Sequence, residues 1–177
     1  MALLRGINLA GKNRMSMASL IAMFVEAGCA DVAAYIQSGN IVFTAAPGLA
    51  ARLPPLITRR IADELGLTVP LVTRTRDEIA AVVAANPFLA EGSDPATLYV
   101  SFLADTPSAQ SVAALDPARS PPDRFIVRGR EIYLCFPGGS ARSRLTNDYF
   151  DRRLGTVSTA RNWRTVQKLL ALADARR

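Results

Sequence analysis

The chain contains no histidine. That absence excludes every mechanism built on an imidazole, including Ser-His-Asp and Cys-His nucleophiles and His-ligated zinc. Cysteine is scarce. Cys29 and Cys135 are the only two, too few for a cysteine-only zinc site, and both sit in apolar surroundings. They read as reduced core thiols of a cytoplasmic protein. No apolar run approaches the ~20 residues of a membrane span. Arg5 interrupts the only apolar stretch near the N-terminus, which argues against a signal peptide. Aromatic residues make up 7% of the chain. The RNP1 motif of an RNA-recognition sheet is missing, and only Phe43, Tyr99 and Phe102 could stack on a base. Nothing in the pattern calls for a metal or a cofactor.

Lysine is also nearly absent. Of the 21 basic residues only Lys12 and Lys168 are lysine, and the rest are arginine. Arginine stays protonated and offers a planar fork that matches phosphate or carboxylate. A coding bias toward Arg and Ala accounts for the number, so position carries more information. From Gly138 to Arg177 nine basic residues face three acids (Asp148, Asp151 and Asp174), giving this stretch the whole net charge of +6. Within the neutral remainder, Arg5, Lys12 and Arg14 precede the first acid, Glu26. Two basic zones thus lie at opposite ends of the chain. If the fold brings them together, they form one anion-attracting surface.

The 177 residues suit one domain or two small ones, and a chain this size buries roughly 70% of its unfolded surface. Leu3 to Leu9 reads as a first strand. Ser16 caps a helix with the stripe Met17, Leu20, Ile21 and Phe24, stopped by Gly28. Val32 to Gln37 and Ile41 to Thr44 are β-rich, with Ser38-Gly39-Asn40 as a hairpin turn. A second helix is expected to begin near Pro54, with Leu53, Leu56, Ile57, Ile61 and Leu65 as its stripe and Gly66 as its stop. Leu67 to Thr73 is a fourth strand. The order β-α-β-β-α-β is that of a ferredoxin-like split βαβ unit. Thr75 to Glu78 forms a capping box for a helix that ends at Asn86-Pro87. Leu98 to Leu103 is a strand, Pro107 to Leu115 a weak helix, and Phe125 to Phe136 a hairpin turning at Arg128-Gly129-Arg130. Ser143 is expected to cap a helix through Leu154. Asn162 caps a final helix with Trp163, Val166, Leu169 and Leu170 on one face. The expected fold class is α+β: two ferredoxin-like subdomains, 1–75 and 76–177, with an extra C-terminal helix.

Four segments carry a family resemblance. They are Ala2-Leu3-Leu4-Arg5-Gly6-Ile7-Asn8-Leu9-Ala10-Gly11-Lys12-Asn13, Tyr35-Ile36-Gln37-Ser38-Gly39-Asn40-Ile41-Val42-Phe43, Arg144-Leu145-Thr146-Asn147, and Thr159-Ala160-Arg161-Asn162-Trp163-Arg164-Thr165-Val166. Together they resemble the DUF1697 family of small bacterial proteins of uncharacterised function. The resemblance spans essentially the whole chain and implies two ferredoxin-like α+β subdomains, but no reaction. Leu9-Ala10 stands where the family usually has Val-Gly, Arg144 where Lys is common, and Arg164 where Asn is common. Arg144 keeps a phosphate contact but rules out a lysine nucleophile or Schiff base at that position.

The same segments hold the candidate ligand-binding residues. Arg5 and Asn8 are expected on the first strand, followed by Lys12 and Asn13 in a glycine-containing loop ahead of a helix, a setting that suits an anion. The P-loop pattern is absent. In the hairpin, Gln37, Ser38 and Asn40 can donate and accept. Arg142 and Arg144 precede a helix whose first turn holds Thr146 and Asn147. Arg161, Asn162 and Arg164 start the last helix. Cations at a helix start are unfavourable unless an anion is bound. Each segment also has a plainer reading: a solvated loop, ordinary turn chemistry, or, for Trp163, a core side chain. Asp148 and Asp151 are expected to be surface partners of Arg144, Arg152 and Arg153. The favoured function is a binding module for a phosphorylated or otherwise anionic ligand, a nucleotide-like small molecule or a nucleic-acid backbone, in a basic cleft between subdomains. The alternatives are an enzyme that positions a phosphorylated substrate electrostatically, and a dimeric interaction protein. The chain is expected to be a monomer or homodimer with no membrane partner.

Overall fold

The structure, a computed structural model, describes residues 1–8 and 13–176. Two compact units make up the chain, Met1–Arg76 with Leu169–Arg177, and Asp77–Lys168. Each contains one four-stranded antiparallel sheet. The last nine residues, expected in the second subdomain, therefore belong to the first unit. Two contacts hold them there: Arg76 Nε donates to Asp174 Oδ1 at 2.7 Å, and Arg176 Nε donates to the Asp31 carbonyl at 3.3 Å.

The first unit runs β1 (Ala2–Leu4), α1 (Met17–Glu26), β2 (Ala30–Tyr35), β3 (Asn40–Thr44), α2 (Pro47–Leu65) and β4 (Leu71–Thr73), with strand order β2-β3-β1-β4. Ser16 caps α1 by accepting from the Ala18 and Ser19 amides. Helix α2 starts at Pro47, not near Pro54, so Pro54 and Pro55 lie inside it. Interior proline costs about 3 kcal/mol through the lost N–H and the ring clash. The stripe explains why the helix persists: Leu49 packs on the core, and Leu53, Ile57 and Ile61, each four residues on, are fully buried. Burying each large aliphatic side chain contributes about 1.5–3 kcal/mol, so packing outweighs propensity here. Leu56 and Leu65, expected on that stripe, are exposed. Ala2, Leu4, Ile41 and Leu71 give the sheet's side of the core.

The second unit runs α3 (Arg76–Ala84, entering from the first unit), α4 (Pro87–Ala90), β5 (Leu98–Leu103), α5 (Ala109–Ala113), β6 (Arg124–Arg128), β7 (Glu131–Cys135), α6 (Asn147–Leu154), β8 (Ser158–Asn162) and the start of α7 (Trp163–Asp174). Its strand order is β6-β7-β5-β8. Side chains alternate between the two faces of a sheet. Tyr99, Ser101, Leu103, Ile132 and Leu134 share one face with α6, where Tyr149, Phe150 and Leu154 complete a core. Val100, Phe102, Tyr133, Thr159 and Arg161 occupy the opposite face. Phe102 is fully buried, and Phe43 packs against Phe24 with ring centroids 5.2 Å apart, so neither strand aromatic is free to stack on a base.

Candidate functional site

In the first unit, strand β1 stops at Leu4, four residues before Asn8. Arg5 and Asn8 therefore lie in a bend, contrary to expectation. The reason is the asparagine pair. Asn8 and Asn13 both take left-handed backbone (φ 53° and 47°), a conformation that asparagine tolerates better than most residues. Asn8 Nδ2 donates to the carbonyls of Met15 (2.9 Å) and Gln37 (3.0 Å), and its Oδ1 accepts from the Met15 amide (2.9 Å). Asn13 Nδ2 donates to the Gly6 carbonyl at 3.0 Å. The Asn8 amide is thus spent on tying the loop to the hairpin. Asn40, 0% exposed, donates to the Tyr35 carbonyl and to Ser38 Oγ and shapes the turn from inside. Of the candidates here, Gln37 is exposed and Arg5, Asn13 and Ser38 are half-buried. Lys12 lies outside the described residues. Asn8→Ala removes three hydrogen bonds at about 1 kcal/mol each and should lower stability by about 2–3 kcal/mol, read as a fall in the urea midpoint.

In the second unit, a left-handed Gly139 (φ 82°) turns the chain into a single 3-10 turn, Ser140–Arg142. Thr146, not Ser143, caps α6, its Oγ1 accepting from the Tyr149 amide at 3.2 Å. Ser143 Oγ instead accepts from the Leu145 amide. Arg142 and Arg144 are exposed. The Arg144 amide donates to Ser120 Oγ (3.0 Å), and Arg119 lies over the Tyr149 ring, 4.2 Å from its centroid. Asn147 points into the sheet, where its Oδ1 accepts from Ser101 Oγ at 3.3 Å. Beside it, Ser158 donates to Asp151 Oδ1 at 2.6 Å. Asp151 thus braces β8, and Arg152 Nε donates to the Asp148 carbonyl. Ser158 is 0% exposed, so this serine–carboxylate pair cannot meet a substrate.

The basic loop reaches the last helix through a residue that sequence reading weighs only as a stacking aromatic. Ser140 Oγ donates to Tyr99 Oη at 3.3 Å. Tyr99 pairs in register with Asn162 across β5 and β8. Loop 138–144 and the first turn of α7 thus share one end of the second sheet. There Asn162 Oδ1 accepts from the Thr165 amide (2.8 Å), and Arg164 is exposed in a first turn that contains no acid.

Arg161 does not join them. It belongs to the opposite face, is 8% exposed, and donates to Thr159 Oγ1 and the Ala160 carbonyl, both at 2.8 Å. Burial pulls its guanidinium down to about 10. Trp163 is 1% exposed and is core. Both cysteines are free and buried, and burial pushes the Cys29 thiol up. Among the described residues no cluster of three acidic or thiol ligands could hold a metal, and no helix is long and apolar enough to cross a membrane.

Two α+β units with four-stranded antiparallel sheets, the second carrying an arginine-containing loop at the sheet end where the last helix starts, define the class of protein. The chain belongs to the family described as "Protein of unknown function (DUF1697)", whose model matches residues 1–133. That span includes the Asn8 loop and the Gln37–Asn40 turn and ends before loop 138–144. A solved structure of the conserved bacterial protein SP0830 from Streptococcus pneumoniae is similar in fold, with a TM-score of 0.71 at 22% identity over 97% of this chain and 96% of that one. No curated protein matches the chain.

Proposed function

We propose that this protein binds a phosphorylated or otherwise anionic ligand at the end of the second sheet, where Ser140–Arg144 meets the first turn of α7. The observation that carries the reading is the Ser140–Tyr99–Asn162 connection. It joins two segments separated in sequence, each supplying arginine and neutral donors and neither supplying an acid. The N–H groups of a helix's first turn lack intrahelical acceptors and carry partial positive charge. Arg164 beside them costs about 0.3–1 kcal/mol when the site is empty, a cost that a bound anion reverses. Arg142 and Arg144, exposed on the loop, extend the same potential toward a nucleotide-like small molecule or a nucleic-acid backbone.

The strand orders β2-β3-β1-β4 and β6-β7-β5-β8, antiparallel throughout, support a ferredoxin-like reading of each unit. The two free buried thiols fit a reducing compartment, hence the cytoplasm.

The test is fluorescence anisotropy with a labelled single-stranded oligonucleotide, competed by tripolyphosphate. Arg142→Gln and Arg164→Gln should each weaken binding about fivefold, the equivalent of roughly 1 kcal/mol per charged contact. If the partner is nucleic acid, the slope of log affinity on log salt should also flatten by about 0.7 per lost phosphate contact. Equal displacement by tripolyphosphate and unlabelled oligonucleotide, phosphate for phosphate, identifies a small-ligand site. Unchanged affinity in both variants contradicts the proposal.

A further inference from the structure

A concavity of about 270 Å³ lies within the second unit, between α3 and the β6–β7 hairpin, away from the arginine loop. It falls just below the ~300 Å³ at which ligand-site volumes usually begin. One wall consists of Ala81 and Val82 of α3 and Ala85 just past its end, side chains short enough to leave room for an apolar body. Its sheet wall is Tyr133, with Arg128 and Glu131 on the same face of the hairpin because Arg128 and Glu131 are register partners and side chains alternate.

Arg128 and Arg130 face Glu78 and Glu131 around it, so its formal charges balance, but its hydrogen-bond donors are not all used. Arg130 pairs with Glu78 at the rim. Arg128 places Nη1 on the Ala85 carbonyl at 2.9 Å and has no ion pair among the described residues. Its remaining N–H groups are spare donors. Tyr133 is 3% exposed, and among the described residues its hydroxyl reaches only the Val82 carbonyl, at 3.4 Å. That is well beyond the ~2.7–2.8 Å usual for a hydroxyl bond, so the O–H gains by turning to a better acceptor. Burial and Glu131 push the Tyr133 phenol up while Arg128 pulls it down, with burial the largest effect, so it stays a donor at neutral pH. Glu131, the register partner of Arg128, repels anions, so a ligand carboxylate must be held by Arg128 and Tyr133 and can carry only one negative charge.

We propose that this groove binds a small apolar monocarboxylic acid, its carboxylate accepting from Tyr133 and Arg128 and its body resting on Ala81, Val82 and Ala85. Benzoate is the probe, with benzyl alcohol and benzylamine as uncharged and cationic comparators, followed by calorimetry and amide chemical shifts. Benzoate should bind at least about tenfold more tightly than either comparator, as expected for hydrogen bonds to a charged acceptor. Tyr133→Phe should weaken it about tenfold. Ala85→Phe, at an exposed turn position just past α3, should abolish binding by filling the groove while leaving the melting temperature within a few degrees. Arg142→Gln with Arg164→Gln should leave benzoate binding unchanged, which separates this groove from the anion site. Equal binding of benzyl alcohol, wild-type affinity in Tyr133→Phe or Ala85→Phe, or loss of benzoate binding in the Arg142/Arg164 variant would overturn the proposal.

Discussion

Gly39→Ala should be among the most damaging single substitutions in the first unit, lowering stability by about 2–5 kcal/mol. Two costs add. Gly39 has φ +74°, a left-handed conformation that costs an L-residue roughly 1–2 kcal/mol. A Cβ there would also lie 2.7 Å from Leu4 Cβ and 2.9 Å from Ile7 Cδ1. Both neighbours are at most 1% exposed and packed in the core, so neither can swing away, and overpacking of this kind costs about 1–3 kcal/mol. The Gly39 carbonyl meanwhile accepts from the Leu4 amide at 2.8 Å, which locks the turn onto β1. Gly48→Ala is the matched control. It lies in the first turn of α2, and a methyl group there meets nothing within 4 Å. It should be neutral or stabilise by up to about 1 kcal/mol. Urea unfolding of both variants beside the wild type decides the matter. A Gly39→Ala midpoint equal to that of the wild type would show that the turn does not hold this geometry.

Arg161→Ala should cost about 2–4 kcal/mol, lowering the melting temperature by roughly 5–10 °C for a chain of this size. Composition suggests the opposite: a ligand arginine whose loss spares the fold. Burial decides between them, because the side chain is enclosed on the sheet face away from the basic loop and bonds to its own strand. Arg161→Met, which keeps most of the volume without the charge, should be far milder, since well-packed apolar replacement of a buried ion is often neutral. The pH profile follows from the lowered guanidinium. Below about pH 10 the group is protonated both folded and unfolded, so it adds no slope to stability between pH 5 and 8. Above about 10 the folded state sheds the proton first, and stability from this residue rises with pH. A melting temperature for Arg161→Ala within a degree or two of wild type would contradict this account.

Much of the architecture was legible in local patterning, because local physics decides it. Ser16, Gly66 and Asn162 end or cap helices through their own side-chain or backbone freedom, and Leu98–Leu103 alternates as a strand must. The errors arise where distant groups overrule local preference. Pro54 looks like a helix start until the Leu49–Leu53–Ile57–Ile61 packing is known. Ser143 looks like a cap until Thr146 takes the Tyr149 amide. For the candidate site, composition marked segments but not what each residue in them bonds to. Asn8 and Asn40 carry the chemistry of ligand groups, yet they spend it on carbonyls 5 to 29 residues away. Tyr99, which ties the arginine loop to α7, shows no sign of that role in its own neighbourhood, because the link depends on strand register.

The most direct measurement is a titration of ¹⁵N-labelled protein with pyrophosphate, following every backbone amide. The account predicts saturable shifts concentrated in Ser140–Arg144 and Asn162–Thr165, with the Tyr99 amide moving alongside them. Shifts confined to other segments, or none up to millimolar pyrophosphate, would contradict it.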